Sequence, residues 1–343
     1  MECTKCGTTF PSRNTLFKHL RICLVLAPQS ADSLQSEAVE DFLRSNEDGD
    51  VYLYATGGRV RGRTLGSVER YSFRRGCWEM CSYLIDNRGS HGCASINGTL
   101  FVIGGGGFKT NLASCEKLSV TRATDCAWTS VAPLATFRHA LAVVAVDGAV
   151  DRSTPSTQSR TIYAIGGWVD GSVCSSDVER YDSQQESWVL CAPLLVARRL
   201  LGACSYNGSI FVFGGHDATY DTPKAERYDI LNNSWALIKD VPVAGPASCA
   251  TVGKFVFVFV NGSNVFRYDP DTDDYLDLGP LPMAEWFCYD ACTRGQCVYL
   301  VGGKVGGVFS KAAWKYNTST NSWEAMPDML RQRRRTAVDI VSC

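Results

Sequence analysis

The chain lacks any apolar run of about 20 residues, the length that a membrane-spanning helix needs. Its N-terminus also lacks the charged-then-apolar pattern of a secretion signal. We therefore expect a protein of the cytoplasm or nucleus, whose 16 cysteines remain thiols or metal ligands. The net charge is only −1, so the chain has no overall attraction for nucleic acid or membranes.

Histidine is scarce, with four residues in a chain of 343. The sequence contains no Ser/His/Asp set, no facial triad of metal ligands and no phosphate-binding loop. These absences disfavour an enzyme and favour a binding module. Residues 269–274 resemble a calcium loop but lack its later glycine and glutamate, so we interpret them as a solvated turn.

Glycine, by contrast, is abundant, and five tandem glycine pairs each end a short apolar run. A tyrosine and then a tryptophan follow most pairs, and the Tyr-to-Trp step is seven residues in four units. Self-similarity with a period of about 45–50 residues is the signature of a propeller-type array. The repeat residues are Gly57, Gly58, Gly104, Gly105, Gly166, Gly167, Gly214, Gly215, Gly302 and Gly303, with Trp78, Trp128, Trp188, Trp235 and Trp323.

Each unit predicts four strands. A small apolar first strand leads into a tight turn such as Asn97-Gly98 or Asn207-Gly208, which favours a two-residue hairpin because both positions accept a positive φ. The second strand ends at the glycine pair, a longer loop follows, and the third and fourth strands carry the Tyr and Trp. The second strands are predicted to begin near Val51, Thr99, Thr161, Ser209, Phe255 and Cys297.

The order of apolar run, Gly-Gly, loop, Glu-Arg-Tyr-Asp, turn and Trp resembles the kelch repeat family over residues 51–343. The resemblance implies an all-β, six-bladed propeller. Unit two departs from the pattern with Leu118 in place of the tyrosine, and unit five departs with Asn261-Gly262 and Tyr275 in place of the glycine pair and the tryptophan. The chain enters at a second strand, so we expect the C-terminal strand, 335–343, to complete the first blade and remove both sheet edges.

A Ser/Thr-rich insertion at 147–160 separates the first two strands of unit three. Its composition predicts a disordered loop. A phosphorylated regulatory loop is the alternative.

The first 24 residues resemble a C2H2 zinc finger, with a ββα fold, in which the last histidine is replaced by cysteine. The four predicted zinc ligands have the spacing C-x2-C-x12-H-x3-C and are Cys3, Cys6, His19 and Cys23. Phe10 and Leu16 fall at the apolar positions of such a finger. A segment this short buries too little apolar surface to fold alone, so zinc binding would supply the folding free energy. Residues 25–50 are predicted to be an acidic linker.

The kelch resemblance implies that ligands meet the face formed by the loops between second and third strands and by the turns entering each first strand. Arginines gather in these segments, which suggests an acidic or phosphorylated peptide as partner. For Arg88, Arg138 and Arg198 a structural role is an equal alternative, because repeat arginines often stack on aromatic rings and bond carbonyls. The candidate partner-binding residues are Arg59, Arg61, Arg63, Arg88, Arg138, Arg198, Arg199, Arg333 and Arg334.

Together these observations predict a non-enzymatic scaffold or adaptor for a protein partner. Many kelch proteins are substrate receptors for ubiquitin ligases, and here the finger or linker would have to recruit the ligase. A second hypothesis is a nucleic-acid-associated regulator, although one finger reads only about 3 base pairs, too few for sequence specificity. An enzyme is the third, since some kelch propellers are copper oxidases, but we cannot assemble the required ligands from this sequence.

Overall fold

The computed structural model describes residues 50–107, 110–120, 127–146, 160–169 and 173–342. Within these ranges the regular secondary structure consists of β-strands alone. No helix with the length and apolar character to cross a membrane occurs in them. The predicted finger, almost all of the predicted linker and residues 147–159 of the insertion lie outside the described residues.

The strands fall into six four-stranded sheets, which we number in chain order, and two small sheets. The chain begins with β1 (Val51–Thr56), β2 (Arg59–Val60), β3 (Arg63–Thr64), β4 (Ser67–Ser72) and β5 (Cys77–Tyr83). Sheet 2 contains β6 (Gly92–Ile96), β7 (Thr99–Ile103), β8 (Cys115–Ser119) and β9 (Thr129–Val131). Sheet 3 contains β10 (Ala142–Val146), β11 (Thr161–Ile165), β12 (Val178–Asp182) and β13 (Ser187–Leu190).

Sheet 4 contains β14 (Gly202–Tyr206), β15 (Ser209–Phe213), β16 (Ala225–Asp229) and β17 (Ser234–Ile238). Sheet 5 contains β18 (Ala247–Val252), β19 (Phe255–Val260), β20 (Asn264–Asp269) and β21 (Asp274–Pro280). The remaining strands are β22 (Trp286–Phe287), β23 (Asp290–Arg294), β24 (Cys297–Val301), β25 (Lys304–Val305), β26 (Val308–Phe309), β27 (Ala313–Asn317), β28 (Ser322–Ala325) and β29 (Ala337–Ser342).

Sheet 6 has the order β23-β24-β27-β28, and sheet 1 has the order β29-β1-β4-β5. Sheet 1 therefore joins the last strand of the chain to the first described one, with Tyr54 of β1 opposite Asp339 of β29. The innermost strands contact one another in the cyclic order β29, β6, β10, β14, β18, β23, and β23 again contacts β29. The six sheets thus form a closed ring, in which β1 is not a sheet edge.

The second strands β1, β7, β11, β15, β19 and β24 begin at the six residues that the repeat pattern predicts. The predicted hairpin turns also form, because Asn97 and Gly98 have φ of 48° and 70° and Asn207 and Gly208 have φ of 46° and 67°. These positive values are those that two-residue hairpins require. Local turn chemistry therefore sets the strand boundaries.

The repeat aromatic residues join each sheet to its neighbour. Tyr228 and Trp235 of sheet 4 pack with their ring centroids 4.9 Å apart. The indole of Trp235 then donates to the carbonyl oxygen of Ala192 in the segment after sheet 3, at 2.9 Å. In the divergent sheet 5, the hydroxyl of Tyr275 donates to the carbonyl of Lys239 at 3.0 Å and performs the same task. The tyrosine that replaces a tryptophan thus keeps the link between sheets.

Candidate partner-binding face

The glycine pairs, the loops between second and third strands and the segments entering the first strands lie at one end of the ring. The second glycine of each pair donates its N–H to the segment entering the next sheet, as Gly167 does to the carbonyl of Arg198 at 2.9 Å. The first glycine must have no side chain, because a Cβ on Gly166 would lie 2.6 Å from that same carbonyl oxygen. The pairs therefore position the arginine-bearing segments against the neighbouring sheet.

The repeat arginines Arg88, Arg138, Arg198 and Arg333 are fully buried at this end. Each guanidinium bonds carbonyl groups of its own sheet and forms an ion pair with a buried glutamate of the third strand. The pairs are Arg88–Glu116, Arg138–Glu179, Arg198–Glu226 and Arg333–Glu69.

The same glutamates accept N–H groups from the turn before each arginine. Glu226, for example, accepts the N–H of Leu195 at 2.8 Å and that of Val196 at 3.1 Å. Each pair therefore holds the segment that enters the first strand. Their burial favours the structural role of the four repeat arginines over direct contact with a partner.

The two sheets without this arginine also lack the glutamate. At the segment entering sheet 6, Trp286 takes the arginine's place, and its indole donates to the carbonyl of Gly302 at 2.7 Å. The residue in the glutamate's place on the third strand is Trp314. At the segment entering sheet 5, Gly245 takes the arginine's place and Phe266 that of the glutamate. The charged pair is thus present or absent as a unit, as expected if each charge is tolerated only with its partner.

A second group of arginines lies at the surface of sheet 1, and we call Arg59, Arg61, Arg63, Arg334 and Arg335 the basic rim. Arg59 and Arg334 exchange backbone hydrogen bonds of 2.8 and 3.1 Å, so the β2–β3 hairpin lies beside the segment entering β29. Arg61 and Arg63 are exposed. No carboxylate of the described residues forms an ion pair with any of the five.

The rim arginines repel one another. Burial and the positive charges of Arg335 and Arg334 lower the pKa of Arg59. Because the protein as a whole is nearly neutral, this cluster is a local concentration of positive charge. An anionic partner would relieve the repulsion.

Arg199, the remaining candidate, lies away from the basic rim at the segment entering sheet 4. Its guanidinium carbon lies 3.6 Å from the ring centroid of Trp168, and His139 stacks on the same indole at 5.5 Å. The exposed Tyr220 belongs to the neighbouring loop of sheet 4. Arg199 is thus part of an aromatic cluster, where guanidinium–ring contacts favour order.

A cavity of about 300 Å³ lies at the same end of the ring, enclosed by residues from all six sheets. Five residues at its mouth have left-handed backbone although none is a glycine: Ser90, Ala140, Leu200, Cys288 and Arg335. The N–H groups of four of them connect successive sheets, as from Leu200 to the carbonyl of Ala140 at 2.8 Å and from Ala140 to that of Ser90 at 2.7 Å. Such strained conformations persist only where the surrounding structure holds them.

Sequence reasoning missed the residues that line this cavity. A usable signal was that Ser90, Ala140, Leu200 and Arg335 each lie two residues after a repeat arginine. Sequence reasoning also treated the glutamates of the Glu-Arg-Tyr segments as strand residues only. The recurrence of Glu69, Glu179 and Glu226 in the same position beside Arg and Tyr was a usable signal for a buried partner.

The predicted zinc ligands Cys3, Cys6, His19 and Cys23 lie outside the described residues. Within the described ranges, no group of three or more His, Cys, Asp and Glu is arranged to hold a metal ion.

Comparison with known proteins identifies the repeat. The Kelch motif matches residues 52–84, 87–135, 153–195, 197–242 and 286–330, more than half of the chain. Residues 243–285, which carry the divergent sheet 5, lie between two matches.

Curated relatives are similar to part of this chain. Kelch-like protein 23 of Homo sapiens is 25% identical over 252 residues, which are 71% of this chain and 42% of that protein. Kelch-like protein 36 of Mus musculus is 27% identical over 228 residues, 63% of this chain and 34% of that protein. Kelch-like protein 25 of Xenopus tropicalis is 27% identical over 190 residues, 50% of this chain and 32% of that protein. The chain spans less than half the length of these relatives.

Proposed function

Because this chain belongs to the kelch repeat family, we propose that it is a non-enzymatic scaffold whose basic rim binds an acidic segment of a partner protein. The ring of six four-stranded sheets supports a six-bladed propeller completed by β29. The proposed binding site rests on one observation, the contrast between two sets of arginines. The four repeat arginines each have a buried glutamate, whereas the five rim arginines have no carboxylate partner among the described residues.

The physical argument for an acidic partner is electrostatic. A group of like charges with low-dielectric protein beside it concentrates its field and attracts oppositely charged ligands. Arginine is also suited to carboxylate and phosphate groups, because its planar guanidinium donates two parallel hydrogen bonds. A disordered acidic segment, or one phosphorylated on serine or threonine, offers both features.

The test is selection of random short peptides on the full chain. We expect the selected peptides to be rich in Asp and Glu and to bind more weakly as salt increases. The double variant Arg61→Glu, Arg63→Glu should weaken their binding about 10-fold or more. Arg74→Glu is the matched control, because Arg74 is 80% exposed in the β4–β5 turn at the opposite end of sheet 1.

Three outcomes would contradict the proposal: no selected peptide, selected peptides without acidic residues, or acidic peptides that bind the double variant as well as the wild type. A role as substrate receptor of a ubiquitin ligase extends this proposal and requires a ligase-recruiting surface in addition to the basic rim. Co-purification of ligase subunits with the full chain, compared with the same double variant, tests that extension.

We also propose that the N-terminal residues bind one zinc ion through Cys3, Cys6, His19 and Cys23. The C-x2-C and H-x3-C spacings support it, since they suit tetrahedral zinc. Metal analysis of the full chain should give one zinc per molecule, lost in Cys3→Ser and retained in Cys77→Ser, whose thiol is exposed on β5. Titration of DNA and RNA at several salt concentrations then tests the nucleic-acid alternative. This alternative requires that the full chain binds nucleic acid and that the zinc-free Cys3→Ser variant does not.

A further inference from the structure

The cavity inside the ring of sheets holds an unusual set of polar atoms. Four side-chain atoms with almost no exposure have no hydrogen-bond partner among the described residues: His91 Nδ1, Asn261 Oδ1, Tyr289 Oη and Arg335 Nε. All four residues line the cavity, and they come from four different sheets. Buried polar groups in proteins are nearly always hydrogen-bonded, so four such atoms from four sheets around one cavity point to a ligand-binding site.

The hydrogen bonds of His91 define what that ligand must offer. Thr56 Oγ1 donates to the carbonyl of Ala337 at 2.9 Å, so it accepts from His91 Nε2, which lies 2.8 Å away. Burial and the positive charges of Arg88 and Arg333 lower the pKa of His91 well below its usual value, so the ring is neutral. Nδ1 therefore carries a lone pair, which requires a hydrogen-bond donor from the ligand.

The other polar groups agree with an uncharged ligand. Asn261 Oδ1 accepts a hydrogen bond, and the hydroxyl of Tyr289 donates or accepts one. Asp290 and Arg335 also line the cavity. The carboxyl group of Asp290 disfavours an anion there, whereas the guanidinium of Arg335 disfavours a cation. The remaining wall is largely apolar, with Leu200 and Phe287 among its residues. Small-ligand sites combine an apolar wall with a few such polar groups.

The position of Arg335 indicates where the ligand comes from. This residue belongs to the basic rim and lines the cavity, so a peptide bound to the rim passes the cavity mouth. We propose that the cavity binds one uncharged, hydrogen-bond-donating side chain, an amide or a hydroxyl, of the acidic peptide that the basic rim binds. The inference rests on the proposed function and adds a specificity determinant to it.

Two substitutions isolate the polar atoms of the cavity. Tyr289→Phe removes only the hydroxyl, and His91→Gln keeps an N–H donor within reach of Thr56 but has no acceptor at the position of Nδ1. Tyr83→Phe is the matched control, because Tyr83 is 62% exposed on the outer strand β5. Since the hydroxyl of Tyr289 has no partner among the described residues, the melting temperature of Tyr289→Phe without peptide should not fall.

Peptides selected on the full chain should carry Asn, Gln, Ser or Thr at a fixed distance from their acidic residues. Both cavity variants should lower the affinity of such a peptide about fivefold or more, and Tyr83→Phe should not. Replacing the peptide's amide or hydroxyl side chain by alanine should lower wild-type affinity by a similar factor and should have little further effect on the variants.

The outcomes separate the two proposals. Acidic peptides that bind the wild type, fail to bind the Arg61→Glu, Arg63→Glu variant and bind both cavity variants with unchanged affinity would overturn the cavity proposal. The proposal for the basic rim would then stand. The cavity proposal is also overturned if the peptide position whose substitution is non-additive with the cavity variants carries an apolar or charged side chain. If no peptide is selected, both proposals fall.

Discussion

At the scale of single residues, charge in this protein occurs in two forms. The repeat arginines are fully buried, and each has a glutamate, turn carbonyls and turn N–H groups arranged around it. The rim arginines are at least partly exposed and lack carboxylate partners among the described residues. The first arrangement holds the segments that enter the sheets, and the second is the one that we propose binds a partner.

The buried pair in sheet 3 gives a quantitative prediction. Glu179→Ala leaves the guanidinium of Arg138 buried without its carboxylate, so the free energy of unfolding should fall by about 3–5 kcal/mol. The double variant Arg138→Met, Glu179→Leu should recover most of that loss, because sheet 6 folds with tryptophan in both places and sheet 5 folds with glycine and phenylalanine there. Urea unfolding of the three proteins measures both effects. A single variant within about 1 kcal/mol of the wild type would show that the pair is not structurally important.

The carboxyl group of Asp290 gives a pH-dependent prediction. Burial inside the cavity raises its pKa from the ordinary 3.8 to about 6. The folded state therefore binds the proton more tightly than the unfolded state does, and this contribution to stability is lost as the pH rises from about 4 to about 6. Asp290→Asn keeps an acceptor for the N–H of Val338, a bond of 2.9 Å in the wild type.

The Asn variant should match the wild type near pH 4 and be more stable by about 1–2 kcal/mol at pH 7. Unfolding free energies at the two pH values measure this difference. An advantage that is equal at both pH values would show that folding does not raise the pKa of Asp290. The neighbouring Asp339, whose pKa burial also raises, would then be the next group to test.

At the scale of the structural elements, the turn from each second strand depends on glycine for two separate reasons. Gly166 has a φ of 58°, and a Cβ there would lie 2.6 Å from the carbonyl oxygen of Arg198. Gly208, in a hairpin turn, has a similar φ of 67° but open space where a Cβ would be. Substitutions at the two positions therefore distinguish the energetic cost of backbone strain from that of steric overlap.

Alanine at the two positions should have unequal effects. Gly208→Ala should cost about 1 kcal/mol, the strain of a left-handed residue. Gly166→Ala should cost about 3 kcal/mol or more, because the segment carrying Arg198 must also move. Thermal unfolding compares the two variants directly. Equal losses of stability would mean that the close approach between neighbouring sheets contributes nothing.

Sheet 5 shows how an element keeps its place when the repeat sequence diverges. It has a register shift between Asn264 and Phe266, and it lacks both the charged pair and the tryptophan. The hydroxyl of Tyr275 nevertheless bonds the segment after sheet 4, and Tyr268 packs on Tyr275 with centroids 4.9 Å apart. The element survives because these contacts replace the missing ones.

At the scale of the whole ring, the closing contact is between the two ends of the described chain. Strand β29 pairs with β1 along its length, and Arg333 binds the carbonyl of Gly57 at 2.8 Å. Without β29, the row of backbone groups on β1 would be an exposed sheet edge. We therefore expect ring closure to affect both stability and solubility.

Deletion of residues 333–343 should yield an insoluble or unfolded chain. Deletion of residue 343 alone should leave solubility and melting temperature unchanged, since all the β1–β29 pairs of the described residues lie before it. Sedimentation of the expressed proteins and thermal melts make the comparison. A soluble 333–343 deletion that melts cooperatively would argue against closure as a requirement for folding.

The sequence by itself determined the repeat, the starts of the second strands and the hairpin turns. These features follow from the chemistry of adjacent residues, such as Asn207-Gly208, and from a regular period. It also located the divergent fifth unit, because Asn261-Gly262 and Tyr275 break the pattern locally.

Only the tertiary structure decided which arginines are buried. Arg138 and Arg61 are the same chemical group, and their difference comes from Glu179, which is 41 residues from Arg138 along the chain. The cavity was equally invisible, since His91, Asn261, Tyr289 and Arg335 approach one another only when the ring closes. Burial and pairing depend on contacts between distant segments, which local sequence patterns do not specify.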